Sequence, residues 1–279
     1  MLFSFPMTAH LIRVPYDSGH RGARMGAGPD VLGPALAASL GASDETITLP
    51  EGFRTEATAG FALARALSTR VRDARDAGRR PIVLAGNCLS SLGTASGVGG
   101  DDLAVVWLDA HGDLETPETT TSGFVDGMAL AALLGRCWRS MTASVQGFRR
   151  VPGSRVVLVG ARDLSDAERA LIADAGVRWV RADALGALDP ALDAVVADGA
   201  RRVYLHVDLD VHDPAALPVN SYPAPGGLSA AEVRDVVRRV GARLEIAAAA
   251  MTAYDPSCDP RGLVVDAARA LAPLLAGSA

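Results

Sequence analysis

Short apolar runs rich in β-branched residues alternate along this chain with amphipathic stretches rich in Ala, Arg, Asp and Glu. The apolar runs cover 81–85 (PIVLA), 103–108 (LAVVWL), 155–159 (RVVLV), 177–180, 203–207 (VYLHV) and 244–250. The amphipathic stretches cover 55–77, 165–175, 190–199, 229–240 and 263–275. The runs have the length of buried strands and the stretches have helical periodicity. Because parallel strands need crossover connections and bury both faces, the alternation predicts an α/β fold, with helices on both faces of a mainly parallel sheet.

The chain is long enough to build a large core. It has 279 residues, of which 49% are apolar, and it shows no internal repeat or polar linker. We therefore expect residues 1–279 to form a single domain. The glycine-rich segment 93–101 (GTASGVGGD) lacks the GxGxxG spacing, and we interpret it as a plain loop rather than a nucleotide site.

The charge pattern excludes several functions. All 27 cationic residues are arginines, they are scattered along the chain, and the net charge is -5. A chain without a basic face is unsuited to nucleic acid. Without lysine it also lacks the amine that Schiff-base catalysis, pyridoxal-phosphate anchoring and the phosphate-binding P-loop require.

The cysteines and the hydropathy of the chain indicate the cellular compartment of the protein. Cys88, Cys137 and Cys258 are an odd number at no disulfide-like spacing, which favours a reducing environment. Residues 1–10 have no basic segment followed by a long apolar one, and no run of about 18 apolar residues occurs. We expect a soluble cytoplasmic protein with no membrane partner.

A first group of potential metal ligands follows the strand predicted at 103–108. Asp109, His111 and Asp113 alternate along the sequence DAHGD. In an extended segment alternate side chains project to one side, so the three can approach one ion together. A solvated acidic loop with an incidental histidine is the alternative.

A second acidic group follows the strand predicted at 203–207. Asp208 and Asp210 lie on one side of the sequence DLDVHDP. The carboxyl ends of parallel strands meet at one edge of the sheet, so the two groups would crowd at least four carboxylates together. Their mutual repulsion destabilises the fold unless cations neutralise it. The pair of groups therefore favours a metal site over acidic loops.

The same motifs resemble a known family. DAHGD at 109–113, ETPETTTSGFVDGM at 115–128 and DLDVHDP at 208–214 are similar to motifs of the ureohydrolases, which comprise arginases, agmatinases and formimidoylglutamases. The resemblance extends to 14–32, to GARD at 160–163 and to PGGLS at 225–229. It implies a three-layer αβα fold, two Mn²⁺ ions and a bridging hydroxide that attacks a guanidinium or amidine carbon. It also implies a small-molecule substrate and a homo-oligomer, a trimer or hexamer.

The resemblance assigns metal-binding roles residue by residue. Asp109 and Asp208 would bridge the ions, Asp113 would bind the first, and His111 and Asp210 would bind the second. Two cations lower the pKa of a shared water, and Asp113 can accept a hydrogen bond from that water as a catalytic group. Oxygen ligands with one imidazole suit Mn²⁺.

One metal position departs from the family pattern. Where the family has a histidine in a GGxH motif, this chain has Cys88. A buried cysteine is usually a small hydrophobe, but a thiolate ligand is the favoured interpretation at this place. Sulfur would move that site from Mn²⁺ toward Zn²⁺ or Fe²⁺, or weaken it. The cysteine is similar to that of the Nω-hydroxy-arginine hydrolase branch of the family.

Residues at the substrate-contacting positions also differ from the family pattern. Asp126 stands where arginases have a proton-shuttle histidine, and an aspartate serves there only if burial raises its pKa. Ala253 stands where the family has a glutamate that holds the guanidinium. Asp255 is a candidate replacement, although a turn role beside Pro256 fits equally.

Further substrate contacts implied by the resemblance are Glu115, Ser122, Asp163 and Glu168. For Glu168 the alternative is a capping box with Ser165 at the start of a helix. His206 and His212 could orient ligands, but we favour a structural role for both.

These observations predict a binuclear-metal hydrolase that cleaves a C–N bond of a guanidino, hydroxyguanidino or formimino compound. The alternative is a metal-poor or non-catalytic relative that serves as a regulatory or assembly subunit. Cys88, Asp126 and Ala253 motivate that alternative, because the loss of several site residues can accompany the loss of activity.

Overall fold

The computed structural model of the protein describes residues 7–52 and 54–277. Within these residues the strands are β1 Thr8–Val14, β2 Tyr16–Asp17, β3 His20–Arg21, β4 Ser43–Thr46, β5 Arg79–Ala85, β6 Leu103–Leu108, β7 Val156–Val159, β8 Arg178–Val180, β9 Arg202–Asp208 and β10 Glu245–Thr252. The α-helices are α1 Gly28–Leu40, α2 Glu56–Asp76, α3 Ser91–Val98, α4 Ala129–Leu133, α5 Arg139–Ala143, α6 Asp166–Ala175, α7 Leu188–Ala197, α8 Ala230–Gly241 and α9 Leu263–Ala276.

Eight strands form one parallel sheet in the order β4-β1-β5-β10-β9-β6-β7-β8. Every neighbouring pair in it is parallel, while β2 and β3 form a separate antiparallel pair. The prediction of a mainly parallel α/β sheet is confirmed. Strands β5, β10, β9 and β6 occupy the centre, so their carboxyl ends lie next to one another.

Helices cover both faces of the sheet. On β6, Val106 belongs to the hydrophobic cluster that contains α1, α7, α8 and α9, whereas Trp107 belongs to the cluster that contains α2, α3, α4 and α6. Successive strand residues alternate between the two clusters, as the pleat requires. The expected three-layer αβα arrangement is confirmed. No helix in the described ranges is both long and apolar enough to cross a membrane.

Strand β1 and helix α1 have no counterpart among the predicted elements. His10 and Arg13 interrupt the apolar pattern of β1, and Pro34 inside α1 argues locally against a helix. Tertiary packing overrides both signals, because α1 buries Leu32 and Leu36 one turn apart against the sheet.

The plain loop predicted for 93–101 is wrong over most of its length. Helix α3 continues to Val98, and all eight of its residues are buried. A Cβ on Gly93 would lie 2.6 Å from the Ala64 carbonyl oxygen, and one on Gly97 would lie 2.5 Å from the Val71 Cβ. The two glycines therefore allow α3 to pack closely against α2.

Candidate metal centre and substrate cleft

The predicted site residues converge at the carboxyl edge of the four central strands. Asp208 and Thr252 are the last residues of β9 and β10, Asp109 directly follows β6, and Cys88 opens a short 3₁₀ turn after β5. Since β6 and β9 are neighbours, the two acidic groups meet as the sequence predicts.

One part of the site is built around His111. Its Nδ1 atom lies 3.4 Å from Asp109 Oδ1 and 3.3 Å from Asp210 Oδ2. Potential ligand atoms of these three residues all lie within 4.8 Å of one another. The imidazole side chain is 30% exposed, whereas both carboxylates are buried. This group, called the His111 half below, opens to solvent on one side.

Backbone amides fix the carboxylates of this half. Asp109 Oδ1 accepts a hydrogen bond from the His111 amide at 2.7 Å. Asp208 Oδ1 accepts one from the Asp210 amide at 2.8 Å, and Asp210 Oδ1 accepts one from the Ala110 amide at 3.2 Å. These bonds come from the residues that follow each strand, so the local chain path sets the direction of each carboxylate.

Asp113 has an unpartnered buried oxygen. Its backbone adopts a φ of 52°, in the left-handed region that non-glycine residues rarely occupy. Among the described residues its Oδ2 atom is buried and has no hydrogen-bond partner. A buried carboxylate oxygen without a partner destabilises a fold unless another group satisfies it. A cation fits this donor set.

Burial and repulsion raise the proton affinity of the carboxylates. Burial, followed by the charge of Asp210, raises the pKa of Asp109 to about 6. Burial, followed by neighbouring aspartates, raises the pKa values of Asp113 and Asp208 well above their usual range. Without cations the site therefore retains protons that divalent ions would displace.

His111 and Asp210 form the exception to this trend. Burial alone would lower the pKa of His111, but hydrogen bonds and charge from Asp109 and Asp210 outweigh it and raise the value to about 12. Burial alone would raise the pKa of Asp210, but the His111 bond and charge hold it well below the usual range. The protonated imidazole thus occupies the place of a cation between two carboxylates.

Cys88 lies on the other side of Asp208. Its thiol donates to Asp208 Oδ2 at 3.0 Å, and Sγ lies 3.2 Å from Thr252 Oγ1 and 3.3 Å from His206 Nε2. Burial, with the charge of Asp208 next, raises the pKa of the thiol well above its usual range. Cys88 therefore makes polar contacts in addition to hydrophobic packing. This group is called the Cys88 half below.

A cleft of about 350 Å³ opens over both halves. Its lining includes Cys88, His111, Asp113, Asp208 and Asp210, together with Glu115, Phe124, Asp163, Glu168 and Tyr222. Phe124 and Tyr222 stack at the mouth with ring centroids 5.9 Å apart. Among the described lining residues there is no arginine.

Asp126 also lines the cleft. Its Oδ1 atom accepts a hydrogen bond from the Leu89 amide at 2.7 Å, and Oδ2 accepts one from Asn87 Nδ2 at 2.9 Å. Burial raises its pKa to about 7 although these bonds act in the opposite direction. An aspartate at this position can relay a proton only if its pKa is raised, and the burial of Asp126 meets this requirement.

The other substrate-side candidates divide into two groups. Glu115, Asp163 and Glu168 line the cleft, whereas Ser122 and Asp255 are not among the described lining residues. Ser122 Oγ accepts a hydrogen bond from the Phe124 amide on an exposed loop.

Asp255 and Glu168 have local capping contacts. Asp255 Oδ1 accepts hydrogen bonds from the amide and hydroxyl of Ser257, at 2.9 and 2.7 Å. This is the geometry of the turn role rather than that of a guanidinium anchor. Glu168 forms the predicted capping box with Ser165, and its Oε1 atom also accepts from the Leu114 amide at 3.2 Å.

Two polar residues of the site are not among the predicted site residues. Asn220 Nδ2 donates to Asp210 Oδ2 and to the Ala253 carbonyl oxygen, both at 3.1 Å. The Arg162 guanidinium, from the GARD segment, donates to backbone carbonyls on both sides of the 209–213 turn, including that of Asp210 at 3.0 Å. The contacts depend on how the 209–213 turn packs against other segments, so periodicity and spacing do not reveal them.

The fold and the site define an α/β protein with a carboxylate-rich cleft at the carboxyl edge of its sheet. The arginase family profile matches residues 8–276, and the chain belongs to that family. This match confirms the resemblance drawn from the motifs.

Individual relatives give the same result. The chain is 40% identical to the arginase of Brevibacillus brevis over 172 residues, which are 58% of this chain and 57% of that protein. It is 36% identical over 166 residues to the N(omega)-hydroxy-L-arginine amidinohydrolase of Streptomyces lavendulae, covering 58% and 56%. These matched segments span less than two thirds of either relative. The crystal structure of Bacillus subtilis arginase superposes with a TM-score of 0.88 at 27% identity, covering 97% of this chain and 98% of that one.

Proposed function

We propose that the protein is a hydrolase that cleaves a C–N bond of a guanidino, hydroxyguanidino or formimino compound with the help of two divalent cations. The observation that carries the proposal is the grouping of His111 with Asp109 and Asp210, whose ligand atoms lie within 4.8 Å of one another. Asp208 and Asp113 line the same cleft, and the buried Oδ2 of Asp113 has no partner among the described residues. Membership of the arginase family supports the same reaction class.

The residues that would hold the ions come from both halves and from Asp113. Asp109, Asp208, Cys88 and Asp113 would hold one ion, and His111 and Asp210, together with Asp109 and Asp208, would hold the other. When bound, two divalent ions supply the Lewis acidity that activates a water molecule. The oxygen-rich set suits Mn²⁺, whereas the Cys88 sulfur favours Zn²⁺ or Fe²⁺ at its own site.

The residues of the chain supply proton transfer and orientation. Asp126 retains a proton near neutral pH at the wall of the cleft. Its carboxyl group is therefore suited to donate that proton to the departing amine. Leu89 and Asn87 hold the carboxyl group in place. The free Oδ2 of Asp113 can bind an ion or accept a hydrogen bond from the attacking water.

The lining of the cleft indicates the charge of the substrate. Glu115 and Asp163 offer acceptors to an ammonium or guanidinium group, and no described arginine lines the cleft to receive a carboxylate. Ala253 provides no anionic anchor of its own. A substrate that carries no carboxylate is therefore favoured over arginine itself.

Metal analysis joined to an activity panel tests the proposal. Protein purified without chelator is assayed for bound metal and for release of urea, hydroxyurea or formamide from arginine, Nω-hydroxy-arginine, agmatine and formimidoylglutamate. We expect two ions per chain, turnover of at least one C=N compound, and loss of that turnover in chelator. Two bound ions with no turnover on the panel would contradict a hydrolase.

The alternative of a metal-poor regulatory or assembly subunit is decided by the same sample. That alternative predicts no bound metal and a melting temperature that does not change when Mn²⁺ is added. A melting temperature that rises with the Mn²⁺ concentration contradicts it, because ligand binding to the folded state stabilises that state.

A further inference from the structure

A column of buried polar side chains lies beneath Cys88, outside the proposed ligand set. Tyr204 and His206 project from β9 on the same face as Asp208, because residues two apart on a strand share a face. Thr252 joins them from the end of β10. Tyr204 and His206 are fully buried and Thr252 is 1% exposed, so this polar column replaces apolar packing under the site.

Tyr204 faces the other nitrogen atom of the His206 ring. The Tyr204 hydroxyl lies 2.7 Å from His206 Nδ1, and the direction of this hydrogen bond depends on the tautomer of the ring. If Nδ1 accepts, a neutral imidazole carries its hydrogen on Nε2.

The Nε2 atom of His206 faces the sulfur of Cys88. It lies 3.3 Å from Cys88 Sγ and 3.3 Å from Thr252 Oγ1. An Nε2 atom that carries hydrogen donates to sulfur and has no lone pair in the ring plane for an ion. Ligand atoms of Cys88, Asp109 and His206 also lie within 4.8 Å of one another, so the tautomer of His206 decides between a donor to Cys88 and a further metal ligand.

Stacking fixes the ring in this orientation. His206 lies against Trp107 with ring centroids 3.6 Å apart and planes 12° from parallel. The Trp107 indole in turn donates its Nε1 hydrogen to Asp109 Oδ2 at 2.9 Å. One stacked pair of rings therefore supports both the sulfur and one of the shared carboxylates.

We propose that His206 is a positioning residue whose Nε2 hydrogen bonds the Cys88 sulfur and directs it toward an ion next to Asp208, with Tyr204 setting the required tautomer. The inference rests on the metal site of the proposed function. Groups that hydrogen-bond a metal ligand fix its orientation and tune its donor strength, and their loss weakens metal affinity by roughly 10–100-fold.

Nuclear magnetic resonance of ¹⁵N-histidine-labelled protein tests the tautomer directly. Long-range ¹H–¹⁵N correlations are recorded on the metal-free and Zn²⁺-loaded protein, and His206→Gln identifies the signal. We expect His206 to carry its hydrogen on Nε2 in both samples. A hydrogen on Nδ1 in either sample would overturn the inference and would assign His206 as an acceptor or a metal ligand.

Cobalt substitution tests the effect on the sulfur. In Co²⁺-loaded protein a thiolate ligand gives a sulfur-to-cobalt charge-transfer band, which Cys88→Ser should remove. Tyr204→Phe removes only the hydroxyl, and we expect it to shift or weaken this band and to lower Co²⁺ affinity by about tenfold. Tyr16→Phe is the matched control, since the Tyr16 hydroxyl binds the Leu49 amide elsewhere, and it should leave the band unchanged.

The outcomes separate this inference from the proposed function. If the unaltered protein takes up neither Co²⁺ nor Zn²⁺, both fail. If the Cys88 band is present and Tyr204→Phe changes only the melting temperature, the inference alone fails. If Tyr204→Phe does not fold, the tautomer measured in the unaltered protein decides.

Discussion

The His111 half and the Cys88 half lie at the same edge of the sheet but are held in place by different means. In the His111 half, backbone amides bind the carboxylates, and the imidazole is partly exposed. In the Cys88 half, side chains from β9, from β10 and from the turn after β5 contact one another and are excluded from solvent. The first half is fixed mainly by main-chain donors, and the second by contacts between buried side chains.

This difference predicts how each half responds to change. A site held by backbone amides keeps its geometry when one side chain is altered, because the donors belong to the main chain. A site held by a buried network of side chains loses several contacts when one member is removed, and such networks are strongly non-additive.

Removal of the Asp109 carboxylate should weaken metal binding in both halves, because its ligand atoms group with His111 and Asp210 and also with Cys88 and His206. Asp109→Asn keeps the volume but removes a carboxylate from the His111 cluster and from the bridge. We expect kcat/KM to fall by about 10³-fold or more, since loss of several kcal/mol of charge stabilisation has that effect. Metal content per chain is measured on the same sample. Asp266→Asn, on the exposed side of α9, is the control, and equal activity in both variants would contradict the shared role.

Asp126 separates proton transfer from metal binding. It accepts hydrogen bonds from Asn87 and Leu89, the two neighbours of Cys88, but is not a proposed metal ligand. Asp126→Asn should lower kcat by about 10²–10⁴-fold, the usual contribution of a general acid, while both ions remain bound. The pH–rate profile should lose the limb near pH 7 that the raised pKa of Asp126 predicts. A variant that loses metal in proportion to activity would assign Asp126 to structure instead.

Substitution of Cys88 isolates one half from the other. Cys88→Ala should leave the His111 half able to bind one ion. It should weaken binding of the second ion by more than the roughly 10–100-fold that loss of a supporting group causes, because a ligand itself is removed. Cys88→His should restore a second ion and move its preference toward Mn²⁺. Ion content is measured by mass spectrometry after dialysis at fixed free metal. Two tightly bound ions in Cys88→Ala would remove Cys88 from the ligand set.

The smallest expected effect is the dependence of the free energy of unfolding on pH. This measurement separates the contribution of the buried charges to stability from that of side-chain packing. In the folded metal-free protein, Asp109 and Asp126 have pKa values of about 6 and about 7, and His111 has a pKa of about 12. Unfolded carboxyls titrate near about 4 and histidine near about 6.5. The folded state therefore holds more protons, and the free energy of unfolding should fall as the pH rises from about 5 to 8.

Divalent ions should remove this slope, because they bind the deprotonated carboxylates. Thermal melts at several pH values, with chelator and with Mn²⁺, measure the effect. A metal-free protein that is as stable at pH 8 as at pH 5 would contradict the crowding of charge at the sheet edge.

The sequence predicts one half of the site far better than the other. In the His111 half, Asp109 and His111 are close in the chain, and alternation along an extended segment is enough to place them together. Asp210 joins them because β6 and β9 are neighbours, as expected for the carboxyl ends of parallel strands. The contacts of Cys88 with Asp208 and Thr252 join residues 120 and 164 positions apart, and no local pattern encodes them. Helix α1 could not be predicted for the same reason. It is stabilised by the packing of Leu32 and Leu36 against the sheet, and this packing leaves no local pattern in the sequence.

The close packing of α3 against α2 affects the position of the Cys88 sulfur. Helix α3 begins three residues after Cys88, and Gly93 and Gly97 leave no room for a methyl group against α2. An alanine at either glycine would push the whole turn outward and carry the cysteine away from its partners. Substitutions at these two glycines should therefore lower activity in a mutational scan, although neither glycine can contact a substrate.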